Sequence, residues 1–134
     1  MIVTDANLIG AYCINSTVTM AAKAVFAKDR AWIAPKLWQA EFVSILVKFQ
    51  RARLVKEQEF ESSLLLATSL MRGMDYDNDV REIAAVCNRT RCSPYDSCYV
   101  ALAEEKQIKL ITTDGGILAN APHVAMSPEQ FLAA

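Results

Sequence analysis

The residue pattern predicts an α/β protein built on a parallel sheet. Short apolar runs alternate with helical patterns along the whole chain. Those runs lack polar alternation, which suits strands covered on both faces. No repeat, low-complexity stretch or linker interrupts them, and 134 residues is an ordinary length for one domain. Residues 1–134 are therefore expected to form a single domain.

Ile2 to Thr4 is a short buried strand, and Ala6 to Cys13 has helical character. Ser16 or Thr17 can cap a second helix that runs to about Lys28. Ala31 to Ala34 is apolar and bounded by Pro35, which marks a second strand. From Lys36 to about Arg51, Leu37, Trp38, Phe42, Ile45, Leu46 and Phe49 share one broad helical face. Lys56 to Arg72 forms another helix, ended by Gly73. Met74 to Tyr76 can make a brief strand, and Asn78 to about Arg89 is helical. Ser93-Pro94 opens a helix to about Lys106, with serine as cap and proline at the first helical position. Ile108 to Thr112 is a strand, and Asp114-Gly115-Gly116 signals a turn. His123 to Met126 is a last strand, followed by a helical turn from Pro128 to Ala134.

Composition excludes several classes of protein. Apolar residues make up 53% of the chain and charged residues 22%, enough to bury a core, so disorder is not expected. The formal net charge is −1, so any surface for nucleic acid must be local. Charges punctuate every hydrophobic run, leaving none long enough to cross a bilayer, and the first residues lack the pattern of a signal peptide. A cytoplasmic protein is the expectation. Cys13, Cys87, Cys92 and Cys98 fit no zinc spacing, and His123 is the sole histidine. The cysteines read as small buried apolar residues.

Four carboxylates stand where a purely structural role is awkward. Asp5 and Asp114 follow predicted strands, and residues past the carboxyl ends of parallel strands face the ligand crevice. Glu41 falls between Leu37 and Ile45, at the edge of its helix's apolar face. Asp96 lies in the first turn of the Ser93-Pro94 helix, angularly near Tyr99, Val100 and Ala103. Each also has a plainer use. Asp5 can cap a helix, Asp96 can complete a capping box with Ser93, Asp114 can belong to an Asp-Gly turn, and Glu41 can pair at the helix edge. Jointly, four converging carboxylates would repel one another unless a cation held them. Mg²⁺ and Mn²⁺ take oxygen ligands of this kind, and such an ion orients a phosphodiester and helps ionise water.

In order and spacing these residues resemble the PIN-domain proteins, and the layout is closest to the VapC-like toxins of bacterial toxin–antitoxin pairs. The similarity runs from Ile2 to about Phe131. It rests on Ile2-Val3-Thr4-Asp5, on the Pro35-led helix carrying Glu41, on Tyr95-Asp96 with Tyr99-Val100-Ala101-Leu102-Ala103, and on Leu110-Ile111-Thr112-Thr113-Asp114. The resemblance implies a three-layer α/β/α sandwich around a mainly parallel sheet. It implies a catalytic site of Asp5, Glu41, Asp96 and Asp114 that binds Mg²⁺ or Mn²⁺ and hydrolyses RNA. Asp5 and Asp96, with Asp114, form the implied ligand set; Glu41 and Asp114 bind metal or position the water. Thr112 supports the site through its hydroxyl. A homodimer and a cognate antitoxin are the implied protein partners. The chain departs from the family pattern at Asn7, where many relatives have Ser or Thr, and at Gly115-Gly116, where a basic residue is frequent. The Asn7 amide can still hydrogen-bond in support of the site.

Other residue clusters carry weaker signals. Asp75, Asp77 and Asp79 form a D-x-D-x-D run, but Val80 and Val86 stand where a calcium loop needs Gly and Glu. It reads as a solvated loop with Asp77 or Asn78 capping the next helix. Lys48, Arg51, Arg53 and Lys56 cluster at a helix C-terminus, where cations are favoured and could also meet RNA phosphates. Arg89 and Arg91 are a second such pair. Trp32 and Trp38 read as core. Two other functions fit parts of the pattern: a PIN-like protein- or RNA-binding module without catalysis, and a receiver-like or phosphatase-like α/β domain using Asp5 as phospho-acceptor. Phosphatases with a nucleophilic first-strand Asp usually have a second Asp two residues on, where Asn7 stands.

Overall fold

The computed structural model describes residues Met1–Ala134. The chain alternates β1 (Ile2–Thr4), α1 (Ala6–Cys13), α2 (Thr19–Lys28), β2 (Trp32–Pro35), α3 (Trp38–Arg51), α4 (Glu57–Leu70), β3 (Asp75–Tyr76), α5 (Val80–Thr90), α6 (Pro94–Lys106), β4 (Leu110–Ile111), α7 (Gly115–Asn120), β5 (Ala125–Met126) and α8 (Pro128–Ala133). The five strands are all parallel, in the order β3-β2-β1-β4-β5. Every residue of β1, β2 and β4 is buried, which is why these strands carry no polar alternation.

Crossovers between parallel strands follow the right-handed rule, which divides the helices. The chain steps from β1 to β2 to β3 in one direction, which puts α1 to α4 on one face of the sheet. It then returns past β1 to β4, which puts α5 and α6 on the other. Helix α6 packs on β1, β2 and β4, with α5 behind it. Caught between sheet and helix, α6 buries a continuous run from Tyr99 to Ala103. On the opposite face, α3 buries Trp38, Phe42 and Leu46 at four-residue spacing, and α1 packs on α2, α3 and α4. One cluster of 29 buried residues joins both faces through the sheet. The three-layer α/β/α expectation holds.

Trp32 and Trp38 are core residues, as expected. Trp32 packs against Tyr12 and Phe26, with ring centroids 5.5 Å away in each case. Trp38 donates from Nε1 to Asp75 at 3.0 Å, and Gln39 donates to the same carboxylate. The acidic run is thus used structurally. Asp75 ties β3 to α3, Asp77 pairs with Lys36 at 3.5 Å, and Asp79 caps α5 by accepting from the Arg81 N–H. The cap is Asp79 rather than Asp77 or Asn78, because Asn78 turns away to donate to the Cys98 carbonyl.

Other boundaries shift for local reasons. Helix α2 starts at Thr19, not at Ser16 or Thr17. The Thr19 hydroxyl accepts from Ser16 and donates to the Ile14 carbonyl, closing residues 14–19 into a turn first. Pro35 belongs to β2 instead of bounding it. Ala34 donates to the Met74 carbonyl and Lys36 to that of Tyr76, both on the β3 side, so the missing Pro35 N–H falls on the alternate edge. The largest difference is α7, a helix where a turn was expected. Asp114 caps it by accepting from Ile117 at 2.9 Å, and the two opening glycines hide the helical pattern. All four cysteines are free, but only Cys13 and Cys92 are buried; Cys87 and Cys98 are half-buried. Burial pushes the Cys13 thiol up to about 12, which leaves it unreactive.

Candidate active site

The strand order fixes where a ligand crevice can open. The chain leaves β1 toward β2 and leaves β4 toward β5, in opposite directions, so the neighbouring pair β1 and β4 is the topological switch point. Asp5 is the first residue past β1, and Asp114 stands three past the end of β4. Helix α3 brings Glu41 to the same place from one layer, and α6 brings Asp96 from the other. A pocket of about 200 Å³ is lined by Asp5, Asn7, Glu41, Asp96 and Asp114, together with Ser44, Lys48 and Tyr99. The structure therefore brings together all four acidic residues singled out in the sequence, and Asn7 with them.

Each carboxylate is held by its own element. Asp5 is buried and caps α1, accepting from the Leu8 N–H at 2.9 Å. Its other oxygen accepts a hydrogen bond from the Thr112 hydroxyl. Thr112 is fully buried beneath the pocket and does not line it. Its oxygen also accepts from the Asp114 N–H at 2.9 Å, so one hydroxyl links both strand ends. Asp96 follows the Ser93 cap, whose hydroxyl accepts from the Asp96 N–H at 3.1 Å. Glu41 accepts from the buried Tyr99 hydroxyl at 2.6 Å. A Cβ on Gly116 would stand 3.1 Å from Asp114 Oδ1, so the residue after Gly115 must be small for that carboxylate to keep its place.

Burial pushes the Asp5 carboxyl up to about 6, with hydrogen bonds from Thr112 and Leu8 opposing the shift and the charges of Asp114 and Glu41 adding to it. Asp96 is raised too, first by burial and then by Asp114. Burial and the Glu41 carboxylate together hold the Tyr99 phenol far above its ordinary range, so it stays a donor. The pocket thus gathers four carboxylates against a single cation, Lys48, with Asp5 the one shut off from solvent.

The donor set fits a hard divalent cation. Its acidic groups are all oxygen donors, with no thiol or imidazole among the lining residues. No three of the chain's His, Cys, Asp and Glu side chains are drawn in tightly enough to make a ready-formed coordination shell. Carboxylates that share a pocket without a cation stand apart because each raises the cost of ionising the next. A larger cavity of about 460 Å³ lies between α3 and α4, over Trp38 and Met71, and shares no residue with the acidic pocket.

Three polar lining residues, Tyr99, Ser44 and Lys48, had no place in the expected acidic site, although Lys48 belonged to the basic cluster set against RNA phosphates. Tyr99 holds Glu41, and its place one turn after Asp96 on a buried face was the available signal. Ser44 and Lys48 share the Glu41 stripe of α3 at helical spacing. Of the basic residues, Lys48 alone reaches the pocket. Arg89 is engaged elsewhere, one guanidinium nitrogen bridging both Glu104 oxygens at 2.9 and 3.1 Å.

The PIN domain family profile matches residues 2–123, and the chain belongs to that family. The crystal structure of PAE2754 from Pyrobaculum aerophilum is similar over 98% of this chain and 92% of that one, with a TM-score of 0.69. The two share 18% sequence identity, a likeness of fold. No curated protein matches the chain. PIN domains are generally nucleases that act on nucleic acid, and they generally use divalent metal ions. No helix of this chain is long and apolar enough to cross a membrane.

Proposed function

We propose that the protein is a Mg²⁺- or Mn²⁺-dependent endoribonuclease and the toxin of a toxin–antitoxin pair. The observation that carries the nuclease reading is the convergence of Asp5, Glu41, Asp96 and Asp114 on one pocket at the switch point of the sheet. Asp5, Asp96 and Asp114 would hold the ion. When bound, it neutralises phosphate charge and makes water a better nucleophile. Thr112 and the Leu8 N–H orient Asp5, and Tyr99 orients Glu41. Glu41 and Asp114 then position the water that attacks a phosphodiester in line, or join the ligand set. Asn7 supports the pocket's rim.

Asp5→Asn and Asp96→Asn are each expected to abolish metal-dependent cleavage of single-stranded RNA while the circular dichroism spectrum stays that of the parent. Full activity with both positions changed would end the proposal. A non-catalytic binding module is the competing reading, and Mg²⁺ or Mn²⁺ titration separates the two, since such a module has no use for the ion. The layout resembling VapC-like toxins supports the toxin assignment, a homodimer, an antitoxin partner and a cytoplasmic setting. A neighbouring reading frame whose product co-purifies with the protein and stops cleavage would test it.

A further inference from the structure

The acidic pocket shares a wall with a second cavity. Asn7 and Ile45 line both. The second cavity, of about 290 Å³, is mainly apolar, with buried Ile14 and Ala22 on one side and half-buried Phe49 on another. Exposed Val18 stands at its edge. Along α3 the wall residues follow helical spacing. Glu41, Ser44, Ile45 and Lys48 face the acidic pocket, while Ile45 and Phe49 face the apolar one. The stripe therefore presents, in order, an acid, a hydroxyl, a cation and an aromatic ring. Lys48 forms none of the protein's ion pairs.

This order matches one nucleotide step of a single strand, in which a reacting phosphate is followed by a second phosphate and an unstacked base. RNA is recognised mostly through such splayed bases, by stacking on aromatic rings and by hydrogen bonds to their edges. The volume lies near the low end of the roughly 300–1,000 Å³ of small-molecule pockets, which suits one nucleoside better than a peptide segment. We propose that this cavity is a nucleobase subsite. It takes the base of a nucleotide flanking the cut, with the Phe49 ring against the base, the Asn7 amide at its edge and Lys48 on the adjoining phosphate. The inference rests on the nuclease reading above.

The test uses oligoribonucleotides that the parent cuts, with one abasic residue moved through the positions flanking the cut. At one position, loss of the base is expected to raise KM by about tenfold or more, with little change in kcat. Ala21 is exposed and lines the cavity, so Ala21→Trp fills the cavity without touching the core. It should give the same KM defect and become indifferent to the abasic residue, with an unchanged melting temperature. Independently of cleavage, the Asp96→Asn protein should change the fluorescence of 2-aminopurine placed at that position, and adding Ala21→Trp should remove the change. Equal KM at every abasic position, or parental KM in Ala21→Trp, would overturn the subsite while leaving the nuclease reading intact. If Ala21→Trp spares RNA cleavage but blocks a co-purifying inhibitor, the cavity belongs to a protein side chain instead. A parent that cuts no RNA overturns both readings.

Discussion

Asp5 is the residue on which the pocket's electrostatics turn. Its carboxyl is raised from 3.8 to about 6, chiefly by burial. A carboxyl raised in the folded state binds its proton more tightly there than in the unfolded chain. The metal-free protein should therefore lose stability as pH rises between about 4 and 6, by about 3 kcal/mol, and stay low above that. Denaturant melts from pH 4 to 8 should show this decline, and Asp5→Asn should flatten it. Thr112 acts one layer below. Thr112→Val removes the donor to Asp5 and the acceptor for the Asp114 N–H at once. Mg²⁺ affinity is expected to fall roughly 10–100-fold, as for other supporting partners of metal ligands. Calorimetric titration at pH 8 would check this, and parental affinity would mean the hydroxyl does not hold the ligand.

Among the elements, α6 and α7 place the two carboxylates that β1 does not supply and α3 does not carry. Helix α6 is started by Ser93 and Pro94, and its buried face sets the rotation that brings Asp96 to the pocket. Helix α7 is only six residues long and depends on Asp114 both as its cap and as a pocket wall. Gly116→Ala exposes that double use. Alanine favours the helix by about 1 kcal/mol, but its Cβ would crowd Asp114 Oδ1 at 3.1 Å. Thermal stability should change by no more than a few degrees while cleavage and Mg²⁺ affinity fall. A variant with full metal affinity would show that Asp114 has room to yield.

For the whole molecule, fold stability and ion binding are linked. A pocket that gathers four carboxylates, with Asp5 buried among them, gains from a counter-ion. Adding Mg²⁺ at pH 8 should raise the melting temperature, by an amount that grows with concentration as RT ln(1 + [Mg²⁺]/Kd). The shift should shrink at pH 5, where Asp5 is mainly protonated. An equal shift at both pH values, or none in the parent, would argue against a site that includes Asp5. The core itself is less sensitive to these conditions. It runs through both faces of the sheet, and Leu46 on α3 is fully buried within it. Leu46→Ala is expected to cost about 2–5 kcal/mol in urea melts at any of these pH values.

The sequence by itself determined the alternation of strands and helices, because burial on both faces leaves runs such as Ile2-Val3-Thr4 and Leu110-Ile111 without polar alternation. It also marked Ser93-Pro94 as a helix start, and it singled out four carboxylates, since charge beside a core position demands a reason. It misread α7, where glycine after aspartate looks like a turn whether or not a helix follows. It could not place Tyr99 against Glu41, 58 positions apart in the chain, or Thr112 against Asp5, 107 apart. Only the tertiary structure decided those pairings, because they depend on which strands lie side by side and on which face α6 presents. The same holds for the cavity beside the acidic pocket. Its walls come from α1, α2, α3 and the start of α8, and a space between elements has no counterpart in the order of residues along any one of them.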